Sequence, residues 1–290
     1  MKKVRKAVFP VGGLGTRFLP ATKSMPKEMM PVFNKPIIQH AFEEASRAGI
    51  EEFIFITGRN KNAITNHFDH AYELESALNQ KQKSQELENI IGWLPQAGHI
   101  AFVRQQKPLG LGHAIWCARN FIGDEPFLVI LADEIILNKN NFLGEMLDFY
   151  YSKKEKANIV AVSEVELKDV CKYGILAVDH NSRITDMVEK PAIDQAPSNL
   201  AIIGRYILQP EIFEFLKNCE AGSGGEIQLT DAMKKMAKTF PFYAKKYQGM
   251  RFDCGSVLGY LEANIAFALE DEKLKDQFLP LLKKYAELKS

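Results

Sequence analysis

Five short runs rich in β-branched and aromatic residues punctuate the first 165 residues: KAVFPV, EEFIFITG, HIAFVRQ, PFLVILAD and NIVAVSEV. Longer amphipathic stretches separate them, and strands alternating with helical patterns specify a parallel sheet covered by helices. The best-bounded helix follows Pro36, with Ile37, Ile38, Ala41, Phe42 and Ala45 on one apolar face and Gly49 as its stop. Weaker versions of the same pattern run over Asn62 to Gln80, Gly112 to Phe121 and Asn140 to Lys156. The lysine- and glutamine-rich stretch Gln80 to Glu88 reads as a solvated excursion.

After about Val165 the pattern changes. ILAVD and ITDMVEK flank His180-Asn181-Ser182-Arg183, a short antiparallel hairpin, and NLAIIGRYIL forms another strand. Helices are expected over Glu211 to Lys217, Glu226 to Lys238, Ser256 to Leu269 and Leu274 to Leu288. Neither an internal repeat nor a sharp shift of composition divides the chain, so residues 1–290 are expected to form one mixed α/β domain.

Composition excludes several functions. With 37 Lys plus Arg against 36 Asp plus Glu, the net charge of +1 gives no overall field towards nucleic acid or anionic lipid, so phosphate chemistry must use local positive charge. No apolar stretch approaches the roughly 20 residues that span a bilayer. The basic N-terminus runs into Gly12 and Gly13 too soon for a signal peptide, and neither nucleic acid nor a membrane is an expected partner. Cys117, Cys171, Cys219 and Cys254 lie far apart without zinc-type spacing and read as reduced thiols of a cytoplasmic protein.

The chemistry begins at Gly12-Gly13-Leu14-Gly15-Thr16-Arg17, directly after the first strand, where open α/β sheets bind ligands. A dinucleotide fingerprint starting at Gly13 fails because Phe18 stands where the third glycine belongs, and no Gly-Lys-Ser/Thr completes a P-loop. What remains is a turn whose bare amides can approach anionic oxygens. Arg17, Lys23 and Lys27 follow in a segment too proline-rich, at Pro20, Pro26 and Pro31, for a helix. Such a segment can wrap a polyphosphate; a glycine-rich loop alone, however, reads first as an ordinary tight turn with solvated charges.

The longer string PVGGLGTRFLPATKSMPKEMMPVFNKPII decides between these readings. It resembles the G-x-G-T-R-x-x-P and P-K-x-x-x-P-x-x-x-K-P signature of the sugar-nucleotide pyrophosphorylases, and its P-K-E-M is similar to the bacterial UTP–glucose-1-phosphate uridylyltransferases. RQQKPLGLGHA, VILADE, KYGIL, MVEKP, APSNLAIIGRYIL, GEIQLTDA and FDCGSVLGYLEAN resemble that family's segments in the same order. Two departures are Gly12, where alanine is usual, and Glu134, where valine or aspartate often follows the aspartate. The second leaves open a changed metal environment.

The resemblance implies a Rossmann-like, mixed, mostly parallel sheet flanked by helices, of the nucleotide-diphospho-sugar transferase type, with a small antiparallel sugar-side subregion. The nucleotide part would span about 1–165 and the sugar part with the C-terminal helices about 166–290. The implied reaction converts UTP and glucose 1-phosphate into UDP-glucose and pyrophosphate. No side-chain nucleophile is needed, only alignment of two anions and neutralisation of the leaving group. Gly13 and Gly15 would approach the triphosphate, Arg17 would grip its oxygens as a rigid fork, and Lys27 would do so as a mobile point charge.

By resemblance, Asp133 and Asp253 would hold Mg²⁺, Gln105 and Gly110 would recognise the pyrimidine, and Glu28 would face the base or support the loop. Glu189 can accept hydrogen bonds from sugar hydroxyls, Lys190 can pair with the incoming phosphate, and Gly174 permits close approach to the ring. His113 and Cys254 are expected only to pack or hydrogen-bond, since the chemistry needs neither a base nor a soft ligand. A homo-dimer or homo-tetramer is expected through the apolar C-terminal helices. Two rivals remain: a thymidylyl, adenylyl or cytidylyl transferase of the same fold, and a catalytically weak regulatory paralogue. The latter should have lost a charged position, yet Arg17, Lys27, Asp133, Lys190 and Asp253 are all present.

Overall fold

The computed structural model describes residues 2–137, 141–220, 222 and 225–288. Thirteen strands are described among these residues, nine of them in one sheet. Strands β1 (Lys6–Val11), β4 (Glu52–Thr57), β5 (Ile100–Arg104) and β6 (Phe127–Ile130) form its parallel half in the order β6-β1-β4-β5. Their side chains alternate between two buried layers: Phe9, Val11, Phe53 and Phe55 enter one core, and Val8, Ile54 and Ile56 the other. Burial on both faces explains why β1, β4 and β6 read as continuous apolar runs, while β5, at the sheet edge, is only partly buried.

Strand β11 (Leu200–Leu208) is antiparallel to both β6 and β8 (Asn158–Glu164) and lies between them. Its first residues also pair with β9 (Gly174–Val178), which forms the expected hairpin with β10 (Ile184–Glu189). Strand β12 (Phe242–Lys246) completes the sheet alongside β8, in parallel. Two small antiparallel ribbons lie apart from it, β2 (Pro31–Val32) with β3 (Lys35–Pro36), and β7 (Glu134–Leu137) with β13 (Met250–Asp253).

The helix Ile37–Arg47 buries the apolar face read from the sequence. Elsewhere the boundaries differ for local reasons. The stretch 62–80 divides into helices Asn62–His67 and Tyr72–Gln80, because Phe68 enters the core and polar contacts then stabilise a turn: Asp69 accepts from the His70 amide and Glu75 from the Ala71 amide. The stretch 112–121 is likewise two helices, Leu111–Cys117 and Arg119–Ile122. Residues 80–88 are exposed as expected except for partly buried Leu87, yet a helix starts within them at Ser84 and reaches Ile91. The helix expected from Asn140 begins at Phe142, capped by the Asn141 side chain, and ends at Tyr151; Asn140 itself lies outside the described residues. The proline-rich segment forms no α-helix but three single turns of 3-10 helix, Thr16–Phe18, Ala21–Lys23 and Lys27–Met29.

Candidate functional site

The loop leaving β1 folds back on the proline-rich turns: Thr22 Oγ1 donates to the Gly15 carbonyl at 2.7 Å. A Cβ on Gly15 would stand 3.2 Å from Lys27 Cβ, so the loop and the lysine pack together. Lys27 Nζ lies 2.5 Å from Asp133 Oδ2. Burial opposes both charges, but their mutual attraction prevails: Lys27 is held above its ordinary value and Asp133 below.

Asp133 does not end a strand as expected. Strand β6 stops at Ile130, the Leu131 amide donates to the Gly204 carbonyl, and Asp133 occupies the turn before β7. That position matters because β7 pairs with β13, setting Asp253 opposite Glu134, while the Cys254 amide donates to the Asp133 carbonyl at 2.7 Å. A Cβ on Gly255 would lie 2.9 Å from Asp253 Oδ1, 3.1 Å from Asp133 Oδ2 and 3.3 Å from Arg17 Nη1. Arg17 Nη1 also donates to the Gly255 carbonyl. Two carboxylates and a guanidinium, remote in sequence, therefore converge on one point.

A cleft of about 470 Å³ opens beside this corner. Gly13 and Gly15, Lys27, Glu28 and Asp133 line one part, and Gln105 and Gly110 another. Glu28 is buried against Lys61 Nζ at 2.7 Å; burial raises its pKa, although Lys61 and Lys27 pull the other way. Gln105 Nε2 donates to the Gly110 carbonyl at 3.2 Å. A second cavity of about 140 Å³ adjoins the cleft through Leu111 and Leu131 and is lined by Gly174, Glu189 and Thr230. Gly174 and Glu189 are paired across the β9–β10 hairpin, and Thr230 Oγ1 donates to Glu189 Oε2 at 2.7 Å.

Lys190 lines neither cavity; its side chain is half exposed, with Nζ 3.8 Å from Glu189 Oε1. Lys23 is exposed on the outer turn. Glu134 is held by Arg251 at 2.9 Å, and burial, reinforced by Asp253 and Asp133, pushes its carboxyl up to about 7. Cys254 is fully buried, and burial raises its thiol. Among the described residues, no group of three or more His, Cys, Asp or Glu side chains is placed to hold a metal; the pair at Gly255 is smaller than that.

Four residues at the site escaped the sequence reading: Lys61 beneath Glu28, Arg251 on Glu134, Thr230 on Glu189, and Gly255, which leaves room where three charges meet. Thr230 and Gly255 sit within GEIQLTDA and FDCGSV, so the motifs carried a signal for them. Lys61 and Arg251 stand outside any quoted chemistry and are identified only by their partners.

Known proteins resemble this chain over nearly its whole length. The UTP–glucose-1-phosphate uridylyltransferase of Bacillus subtilis (strain 168) is 46% identical over 289 residues, covering 97% of both chains. A UTP-bound UGPase from Acinetobacter baumannii superposes with a TM-score of 0.87 at 41% identity, covering 97% of this chain and 99% of that one. A UDP-glucose pyrophosphorylase complexed with UDP-glucose gives 0.83 at 43% identity, covering 93% of this chain and 100% of the other. The family described as nucleotidyl transferase matches residues 6–269, and the chain belongs to it.

Proposed function

We propose that this chain transfers a uridylyl group from UTP to glucose 1-phosphate, forming UDP-glucose and pyrophosphate. The observation that carries the reading is the convergence of Arg17, Lys27, Asp133 and Asp253 beside the glycine-loop cleft, with a second cavity lined by Gly174 and Glu189 adjoining it. The relatives' names and bound ligands support the choice of nucleotide and sugar.

In the reaction an oxygen of the sugar phosphate bonds to the α-phosphorus while the bond from that phosphorus to the bridging oxygen of pyrophosphate breaks. The attacking phosphate is already an anion, so no side chain need remove a proton. The amides of Gly13 and Gly15 approach the triphosphate, and Arg17 and Lys27 offset the charge that builds on the leaving group. Asp133 and Asp253 would hold Mg²⁺: their carboxylates stand close together beside Gly255, and hard oxygen donors of this kind suit that ion. When bound, the ion would supply positive charge beside the reacting phosphates.

Gln105 and Gly110 read the uracil edge, and the buried Glu28–Lys61 pair supports the wall of the cleft beside them. Glu189, oriented by Thr230, accepts from sugar hydroxyls over the bare backbone of Gly174, while half-exposed Lys190 receives the incoming phosphate. The chain acts as one nucleotidyltransferase domain, since β11 links the nucleotide part, about 1–165, to the sugar part, about 166–290, within one sheet. Four free thiols support a cytoplasmic setting.

The test is pyrophosphate release by the purified protein with Mg²⁺, glucose 1-phosphate and each of UTP, TTP, CTP and ATP. UTP is expected to give the highest kcat/KM, with TTP nearest, because only a methyl group and a ribose hydroxyl separate the two. Equal use of ATP or CTP would overturn the assignment of the base site.

A further inference from the structure

Gln105 carries base selection in the uridylyl reading, on which the following inference rests. A primary amide offers an acceptor from one end and two donors from the other, so its rotation decides which base it selects. Two contacts fix that rotation. Gln105 Nε2 lies 3.2 Å from the Gly110 carbonyl oxygen and 3.0 Å from His113 Nδ1. A carbonyl only accepts, so the amide must present its NH₂ on this side, and His113 Nδ1 must be the unprotonated ring nitrogen. With both N–H groups engaged, Oε1 faces the glycine loop, 3.0 Å from where a Cβ on Gly12 would stand, in the wall of the cleft.

We propose that His113 is a specificity-determining positioning residue: its Nδ1 holds the Gln105 amide with Oε1 towards the base, so the cleft prefers a pyrimidine with a ring N–H donor over one with a ring-nitrogen acceptor. Uracil and thymine present that N–H, whereas cytosine presents a lone pair. The imidazole is itself held in place. It stands within the helix Leu111–Cys117 and stacks on Trp116, with centroids 6.0 Å apart and rings 30° from parallel; the Arg119 guanidinium lies 3.5 Å from the same indole. Burial, assisted by the Arg119 charge, lowers the His113 pKa and favours the neutral ring that acceptance requires.

Two substitutions separate the acceptor from the ring. His113→Phe keeps an aromatic ring for Trp116 but has no acceptor; His113→Asn loses the ring but can place a side-chain oxygen near the Nδ1 position. Steady-state kcat and KM for UTP and for CTP, with saturating glucose 1-phosphate and Mg²⁺, are compared in both variants and the parent. His113→Phe is expected to lower the UTP-over-CTP preference in kcat/KM by roughly 2- to 12-fold, the equivalent of one neutral hydrogen bond, through KM and not kcat. His113→Asn should restore most of it. A preference unchanged in His113→Phe, or reduced equally in both variants, overturns the proposal. A parent that does not prefer UTP to CTP would instead refute the underlying uridylyl reading, so the two failures are distinguishable.

Discussion

Asp133 and Asp253 stand beside one point but stabilise their surroundings differently. Asp133 is paired with Lys27, whereas the Asp253 carboxylate accepts from the Gly255 amide at 2.9 Å and so shapes the turn beyond β13. Replacing either with Asn keeps size and a hydrogen-bonding oxygen while removing charge, so circular dichroism should change little. Turnover should fall by at least about 100-fold, or roughly 2.7 kcal/mol in the barrier. A Mg²⁺ titration alongside the parent checks this, and near-normal activity with near-normal metal dependence would remove that residue from the metal site. Lys190 predicts a different pattern. Its side chain is half exposed beside Glu189, so Lys190→Ala should leave the fold intact and cost about 1.5–3 kcal/mol in kcat/KM for glucose 1-phosphate, roughly 10- to 150-fold. An unchanged value would make Lys190 a surface lysine. The motifs singled out these charged residues as candidates, because phosphate chemistry restricts which side chains can serve. Lys61 and Arg251 were not legible: their partners lie 33 and 117 residues away, and only folding brings the pairs together.

Elements are where the sequence informed unevenly. Strands buried on both faces were plain, since each needs a run of apolar residues whatever packs beside it. Helix ends were less so. The turn after Phe68 depends on Glu75 reaching back to the Ala71 amide, and the early end of β6 depends on the Gly204 carbonyl of a strand some 70 residues later, contacts that apolar periodicity does not encode. Gly204 itself adopts φ +67° where the β11–β8 register shifts between Ile202 and Tyr206. The loop that begins the helix Leu111–Cys117 is similarly dependent on a distant segment: the Ile227 amide donates to the Leu109 carbonyl and the Gly112 amide to the Ile227 carbonyl, each at 2.8 Å. Between them Gly110 holds φ +97°, and a Cβ there would approach Glu226 Cβ to 2.7 Å and the Ile227 oxygen to 2.9 Å. Gly110→Ala should therefore destabilise the protein by about 1–3 kcal/mol from backbone strain, with the clash adding to it. It should also raise KM for UTP more than it lowers kcat. Urea unfolding and nucleotide kinetics check the two parts, and wild-type stability would show that the loop relaxes without cost.

The whole molecule poses the question of what covers its C-terminal surface. The helix Val257–Glu270 follows directly from the Asp253–Gly255 corner, with Ser256 capping it through the Gly259 amide. It leaves Leu258 78% and Leu261 52% exposed, with Val257 and Ile265 exposed beside them. The last described helix, Lys275–Glu287, buries none of its residues and exposes Leu279, Leu281 and Tyr285. A helix needs an apolar face only if something packs on it, and among the described residues these side chains are left exposed. A second copy suits this surface, because in a two-fold interface each leucine contributes once from either subunit. We therefore expect a dimer or tetramer by size-exclusion chromatography with light scattering. Leu258→Glu combined with Leu261→Glu should shift it towards monomer: burying a leucine contributes about 1.5–3 kcal/mol, and each substitution acts twice while introducing like charges that repel across the axis. Both side chains are exposed and neither lines the clefts, so circular dichroism should stay unchanged. Any loss of uridylyl transfer in the monomer would then measure how far association steadies the neighbouring Asp253–Gly255 turn. A parent chain that remains monomeric at every concentration, or a double variant with the parent's mass in solution, would show that these helices do not form the interface.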